Sequence, residues 1–446
     1  MQINTVGIPG RYPVLIARLV QSKSITRISP VSQYFLRDRH LLKYRKMETL
    51  ALDGSSLKCS DLIKVYKDCD GKVKVVVQDS SKEKIHRARE GVEEKLKSGE
   101  TVYGTNTDVS ALKSAPPPGS AAQAAGYAGR WDKYVEHYDK QVCRAAWVIL
   151  VNGFARGSTV VTWSLVKQII RWVNMAWNKK NKIHDLVPNI EKGSSVGFAD
   201  VIAPTVLHVE TLAKYQIVSE DKAVKREYEF ASGEVLALLS NSCFTLAEAV
   251  VTVSNIIETM EIIEVATALD IEAEEANTFI ISREAEEVAQ WETKKKVIER
   301  LRKLLRGSQL FQKAPSSIHP YVSLRASTDI LGTAWEALEN TKQVLEDLIN
   351  SHQGNPVVVG PWNSDVSKTK IGPVAQFDTT RLFWSLSSIQ QAIGCLAVSL
   401  GQRTMYRINT DGFNIPQFLT RRMLIFQEAS LRDCMVSSQA SQDSLT

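Results

Sequence analysis

Residue types that commonly carry chemistry are scattered along this chain. Six cysteines, Cys59, Cys69, Cys143, Cys243, Cys395 and Cys434, form no Cys-x-x-Cys pair and no Cys/His cluster at metal-ligand spacing. Reduced thiols of a cytosolic protein are the plain reading. His184, His208 and His319 lack a carboxylate or cysteine at metal spacing, which favours packing or surface roles. Neither a Walker loop nor a G-x-G-x-x-G strand-turn-helix fingerprint occurs. Tyr103 is a further ionisable candidate. It opens Tyr103-Gly104-Thr105-Asn106-Thr107 at the head of a loop-like stretch, Tyr103 to Gly129, which carries Pro116, Pro117, Pro118 and several glycines, the composition of a mobile lid or linker. A phenol on such a loop can give or take a proton; the competing reading is a packed aromatic with a hydrogen-bonded hydroxyl.

Helices must position whatever site exists. Beyond Arg130 the apolar periodicity is helical almost throughout, at Trp131 to Phe154, Val161 to Asn178, Gly233 to Asp270, Ser282 to Arg306, Ser327 to Ser351 and Thr379 to Arg407. That succession predicts a bundle. Upstream, residues 47 to 101 mix a short helical pattern, a β-prone Lys72 to Val77 segment and a charged helix from Ser81 to Lys97. The expected organisation is a leader over 1–46, a mixed region over 47–130 and a helical bundle over 131–446. In the leader Asp38 is the only acid among many Arg, Ser and Thr, which suits a transit peptide or a disordered leader with Met47 opening the domain.

With 44% hydrophobic residues among 446, the chain can bury a large core, as an ordinary soluble protein does. Lys plus Arg total 55 against 49 acids, a surplus of +6 that lies largely in the leader. A near-neutral body gives no reason to expect a nucleic-acid or membrane partner. Acidic Ile257 to Glu275 and basic Lys294 to Arg306 read as solvated helix faces. No uninterrupted apolar run approaches the roughly 18 to 20 residues that span a bilayer, Ala145 to Leu150 being the best. A cytoplasmic location is expected, with organelle targeting through 1–46 as the alternative.

Several strings, in order across most of the chain, resemble the aromatic amino acid ammonia-lyase and aminomutase family of the histidine and phenylalanine ammonia-lyases. Tyr103 to Thr107 is similar to its Y-G-x-N-T-G loop, and Asn152-Gly153-Phe154-Ala155-Arg156-Gly157-Ser158 to N-S-L-A-R-G-x-S. Gly233 to Leu239 is similar to K-E-G-L-A-L-L, Pro320-Tyr321-Val322-Ser323-Leu324-Arg325 to D-P-Y-S-L-R. Ile349-Asn350-Ser351 with Gly354-Asn355-Pro356 resembles the L-N-S and D-N-P pair, and Ile415 to Leu419 resembles L-P-P-F-L. The resemblance implies a mainly α fold, a central bundle of long helices with a small mixed N-terminal region, truncated at its C-terminus relative to the family. It also implies a small-molecule substrate and a homotetramer whose sites are shared between subunits.

In that family an Ala-Ser-Gly tripeptide within S-V-G-A-S-G-D-L-A-P cyclises to methylidene-imidazolone, an electrophile at helix N-termini that activates the amino group as a leaving group, while a tyrosine removes the β-proton. The matching segment here runs Ser195-Val196-Gly197-Phe198-Ala199-Asp200-Val201-Ile202-Ala203-Pro204. Its centre has no β-hydroxyl to lose, so no cofactor is expected, and the lack of Cys and His at ligand spacing gives no reason to expect a metal. Phe198 would wall or stack on a substrate, and Asp200 would bind a cationic amine or act as a base; otherwise both plug a dead cavity. Ala231-Ser232-Gly233 is a displaced literal tripeptide, with Ser232 also readable as a helix cap.

By the same resemblance Tyr103, Asp200 and Tyr321 are candidate catalytic residues, and Arg325, Phe198, Asn241 and Asn106 candidate substrate contacts. Arg325 matches the carboxylate-binding arginine, or else an internal ion pair. Departures surround them. The Tyr-x-x-Leu-Arg spacing is one residue too long, Ser240 replaces the N-G-T asparagine with Asn241 displaced by one, and G-N-F-H is reduced to Gly372-Pro373-Val374-Ala375. Three functions stay open: a cofactor-less acid/base enzyme performing elimination, conjugate addition or cyclisation of an amino-acid-derived or aromatic small molecule; a non-catalytic subunit that modulates an active relative; and a true ammonia-lyase or aminomutase using Ala231-Ser232-Gly233.

Overall fold

A computed structural model describes residues 47–108, 136–177, 182–192, 199–219, 222–352, 354–360 and 365–409. The leader, the Pro116 to Pro118 run, Phe198 and the Ile415 to Leu419 string lie outside the described residues. The remainder is mainly helical and divides into two compact units, one of residues 47–257 with 338–388 and one of 258–337 with 389–409.

The first unit opens with β1 (Glu48–Leu52), α1 (Cys59–Lys67) and β2 (Val73–Val77). The strands pair in parallel from Glu48 opposite Val73 to Leu52 opposite Val77, and α1 supplies the crossover that parallel pairing requires. After α2 (Asp79–Lys97) come α3 (Lys140–Ala155), on which every residue from Gln141 to Ala155 is buried, and α4 (Trp163–Met175). A helix apolar all round belongs in a core. Asp139 caps α3 by accepting from Gln141 N at 2.9 Å, so this helix begins nine residues later than the periodicity suggested; before the cap His137 bridges to Glu191.

One arginine fastens these parts together. Arg144, fully buried on α3, donates to the carbonyls of Val65 (3.2 Å), Asp68 (2.9 Å), Val73 (3.0 Å) and Val173 (3.0 Å), and pairs with the Asp68 carboxylate at 3.1 Å. That carboxylate also accepts from Lys72 N at 2.9 Å and Val73 N at 2.8 Å. The loop between α1 and β2 is thereby tied to the core.

Further along lie α5 (Ile202–Glu210), the antiparallel pair β3 (Tyr215–Ser219) and β4 (Lys222–Lys225), α6 (Glu234–Leu239) and α7 (Cys243–Ala273). His208 of α5 stacks on Trp147 with centroids 5.8 Å apart, and Trp147 meets Trp172 and Trp177 edge-on. Trp147 Nε1 donates to His208 Nδ1 at 3.3 Å, which leaves the proton of the neutral ring on Nε2. Burial lowers the His208 pKa from 6.5 to about 3. A depressed folded-state pKa gives stability that is complete above the unfolded value and is lost as pH falls below it. Unfolding free energy should therefore drop by about 2–3 kcal/mol between pH 7 and pH 4.5 through this residue. Urea titrations at the two pH values check this: His208→Phe should lack that share of the loss, and an identical loss in both proteins would refute it.

The stretch 233–270, a single helix by periodicity, forms two helices because the backbone turns at Ser240-Asn241-Ser242: Asn241 donates its amide to Leu238 O at 2.8 Å and accepts Cys243 N at 3.1 Å. Likewise 282–306 divides into α8 (Arg283–Glu287) and α9 (Glu292–Leu304). Short α10 (Val322–Arg325), α11 (Ser327–Ile349), the hairpin of β5 (Val357–Val359) and β6 (Lys370–Gly372), and α12 (Thr380–Asn409) complete the described chain. In the second unit Glu264 receives the Arg300 guanidinium at 2.6 and 2.8 Å and Trp335 Nε1 at 2.7 Å, a buried acid with its acceptors filled.

Two helical stretches, Glu234–Ala273 and Thr380–Arg407, are long and apolar enough to cross a bilayer, although no uninterrupted apolar run revealed them. The first is largely buried, as core helices are. The second is mostly exposed, with Phe383 and Trp384 about two-thirds accessible.

Candidate functional site

Asp200 lies at the start of α7. Its carboxylate accepts Thr245 N at 2.8 Å and Thr245 Oγ at 2.6 Å, and its own N–H donates to Asn241 O at 2.8 Å. It thus occupies the anion position that a helix N-terminus offers. Burial raises its pKa, outweighing the hydrogen bonds from Thr245 and Phe244 that lower it. A carboxyl held this way can store a proton, as acid/base groups do. The same burial, with the Asp200 charge, pushes the neighbouring Cys243 thiol well up, leaving it inert. Ala199, directly before Asp200, is buried.

Asn241 is fully buried, and its amide group is consumed by Leu238 and Cys243. Structure therefore brings Asp200 and Asn241 together, at the turn between α6 and α7.

The Tyr103 loop packs on the other end of α6. Gly104 has φ +62°, and a Cβ there would fall 2.1 Å from Leu236 Cδ2, so only glycine lets the loop approach so closely. Asn106 turns inward on its own loop, accepting Val102 N at 2.8 Å and donating to Glu100 O at 2.9 Å. Tyr103 is half-buried. At about 1.5 Å per residue, α6 carries the loop contact to within roughly 8 Å of the Asn241 turn along the helix axis.

Sequence reasoning missed Thr245, and also Glu234, a fully buried carboxylate at the head of α6. Glu234 accepts Thr162 N (2.8 Å), Thr162 Oγ (2.7 Å) and Ala231 N (2.8 Å), and burial raises its pKa against those bonds. A lone acid before Val-Leu-Ala-Leu-Leu was the available signal. Around it, Ser232 is exposed and its carbonyl takes Arg89 at 2.9 Å. Ser232 is not the helix cap expected: that position belongs to Gly233, at φ +85°, and the Glu234 carboxylate supplies the bond to the freed backbone N–H of Ala231.

The second unit holds Tyr321 and Arg325. Tyr321 donates its hydroxyl to Glu274 at 2.6 Å and stacks on Tyr406. Burial, then Glu274, raise its pKa. Arg407 donates to the same carboxylate at 2.5 and 2.9 Å. Arg325 is exposed at the end of α10, with no ion pair among the described residues. Among those residues no group of three His, Cys, Asp or Glu could hold a metal.

The family model for aromatic amino acid lyases matches residues 57–445. Histidine ammonia-lyase of Caldanaerobacter subterraneus subsp. tengcongensis is 26% identical over 427 residues, covering 90% of this chain and 80% of the relative. The Bacillus subtilis enzyme of the same name is 21% identical over 385 residues, covering 83% and 72%. The fold is shared with ergothionase, the ergothioneine degrading enzyme of Treponema denticola solved with desmethyl-ergothioneine sulfonic acid, at TM-score 0.72, 17% identity and coverage of 84% of this chain and 75% of that one. It is shared also with histidine ammonia-lyase from Trypanosoma cruzi, at TM-score 0.66, 19% identity and coverage of 83% and 70%. With most of its length matched by that one family model, and with the long helices those structures share, this chain belongs to the aromatic amino acid lyase family.

Proposed function

We propose that the chain is an acid/base enzyme on the ammonia-lyase scaffold that works without methylidene-imidazolone. The carrying observation is at positions 199 and 200. In the match to the family's S-V-G-A-S-G-D-L-A-P, Ala199 stands in the place of the serine and its methyl group is buried, while the Asp200 carboxylate accepts from Thr245 at the start of α7. These residues do not fit the cofactor. Without an electron sink a neutral amine leaves poorly, so the substrate is an amino-acid-derived or aromatic molecule whose leaving group departs unaided, or one that undergoes conjugate addition or cyclisation. Tyr103 or Asp200 would move the proton. In the second unit exposed Arg325 has no ion pair among the described residues, and its guanidinium is of the kind that recognises a carboxylate. That the relatives include histidine ammonia-lyases and that the fold is that of an ergothioneine degrading enzyme supports this substrate class.

Intact mass spectrometry tests the reading: the polypeptide should weigh what its sequence encodes. A species lighter by two waters, or ammonia released from phenylalanine, tyrosine or histidine, would overturn it in favour of a true lyase, and peptide mapping of the loss to Ala231-Ser232-Gly233 would assign the cofactor there.

One set of contacts favours a second reading, a non-catalytic subunit that modulates an active relative. Asp200, Asn241 and the Tyr321 hydroxyl are all engaged in internal hydrogen bonds. Under either reading we propose a homotetramer, supported by the exposed Phe383, Trp384, Val398 and Tyr406 on α12, apolar side chains that a subunit contact would cover. Light scattering should give about 200 kDa, four times the 49.7 kDa chain; a monomeric mass would refute it.

A further inference from the structure

Away from these residues, a pocket of about 320 Å³ in the first unit is walled by Asp53, Gly54, Lys84, Arg156, Ser158 and His352. Its two cations lack carboxylate partners among the described residues. Arg156 spends Nη1 on Gly54 O (2.8 Å) and Asn350 O (2.5 Å), while its buried Nε has no acceptor. Asp53, the one acid in the wall, is turned to its own backbone, accepting Ser55 N at 2.7 Å and Ser56 N at 2.9 Å. Ser158 Oγ pairs with His352 Nδ1.

The backbone is pressed close around the cations. Gly54 has φ +86°, and a Cβ on it would meet Arg156 Cγ at 2.5 Å; Gly157 has φ +70°, and a Cβ would meet Lys84 Cβ at 2.4 Å. Two left-handed glycines thus hold Arg156 and Lys84 at one cavity beside a hydroxyl and an imidazole.

We infer that this pocket binds the phosphate group of a small molecule, with Lys84 and the Arg156 guanidinium giving charge-assisted bonds and the Ser158–His352 pair giving neutral ones. Two cations and further donors suit a dianionic, tetrahedral group; a planar carboxylate would be satisfied by the guanidinium alone. The inference is independent of the proposed reaction.

Calorimetric titration of the full chain at constant ionic strength tests it, with inorganic phosphate in one arm and glycerol phosphate in the other. Saturable binding is expected in at least one arm, the tighter arm identifying free phosphate or a phosphate monoester as the ligand. Lys84→Met should weaken it about tenfold, the loss of one charge-assisted bond. If that variant does not fold, as judged by circular dichroism, His352→Asn replaces it, with weakening again expected. No saturation of the unmodified chain by about 10 mM of either compound, or undiminished binding by the folded variant, overturns the inference.

Discussion

Arg144→Leu should lower the free energy of unfolding by about 3–5 kcal/mol, because it removes one partner of a buried ion pair and leaves the other charged. The loss is large because the guanidinium satisfies four carbonyls as well as the Asp68 carboxylate. Arg144→Lys should recover little, since one ammonium cannot reach groups spread around a planar fork. Burial raises the Asp68 pKa, but the N–H groups of Val73 and Lys72 and the Arg144 guanidinium bring it below the usual value of 3.8. A depressed carboxyl stabilises fully above its unfolded pKa and loses that contribution as pH falls through the folded one. The gap between wild type and variant should therefore narrow in acid below about pH 4. Urea unfolding followed by the fluorescence of Trp147, Trp172 and Trp177 measures both effects, and combining Arg144→Leu with Asp68→Asn should cost less than the two changes summed. A loss under about 1 kcal/mol would mean that the cluster relaxes and hydrates, and the clasp would not be structural.

The long helices were legible because their apolar periodicity is local information. Ser327 to Ser351 was observed as Ser327–Ile349, and Thr379 to Arg407 as Thr380–Asn409. What periodicity cannot register is a short polar break whose cost is met by side chains: Ser240-Asn241-Ser242 interrupts no apolar pattern, yet Asn241 ends one helix and begins the next. Long-range partners were equally hidden. Arg144 sits inside an apolar helix, and nothing in its neighbourhood names Asp68; the partner of Tyr321 is Glu274, and that of Asp200 is Thr245. The residue type at position 199 can be read from the sequence, whereas who donates to whom around the site cannot. Ser232 shows the difference: its type suits a cap, but the backbone gives that place to Gly233.

Tyr103→Phe should reduce turnover by roughly 10²–10⁴-fold, the range that a positioned acid or base contributes. The assay is product formation, read by mass spectrometry, on a substrate found by screening amino-acid-derived and aromatic compounds. The fold should survive, because the loop is held by the Asn106 bonds to Glu100 and Val102, the Gly104 bond to Thr107 and the packing on Leu236. Asp200→Asn makes a second, separable test. Asparagine keeps an oxygen for Thr245 N and sheds a charge that burial disfavours, so stability should hold. If Asp200 moves the proton, turnover collapses despite that stability; if it only caps α7, turnover persists. Loss in Tyr103→Phe alone assigns the proton to the loop, and loss in Asp200→Asn alone assigns it to the helix start. Undiminished turnover in both variants would remove this acid/base pair from the mechanism. A tetramer that turns over none of the screened compounds, yet alters the rate of an active relative when mixed with it, would favour the modulating subunit, because the internal bonds of Asp200, Asn241 and Tyr321 would then describe a closed scaffold.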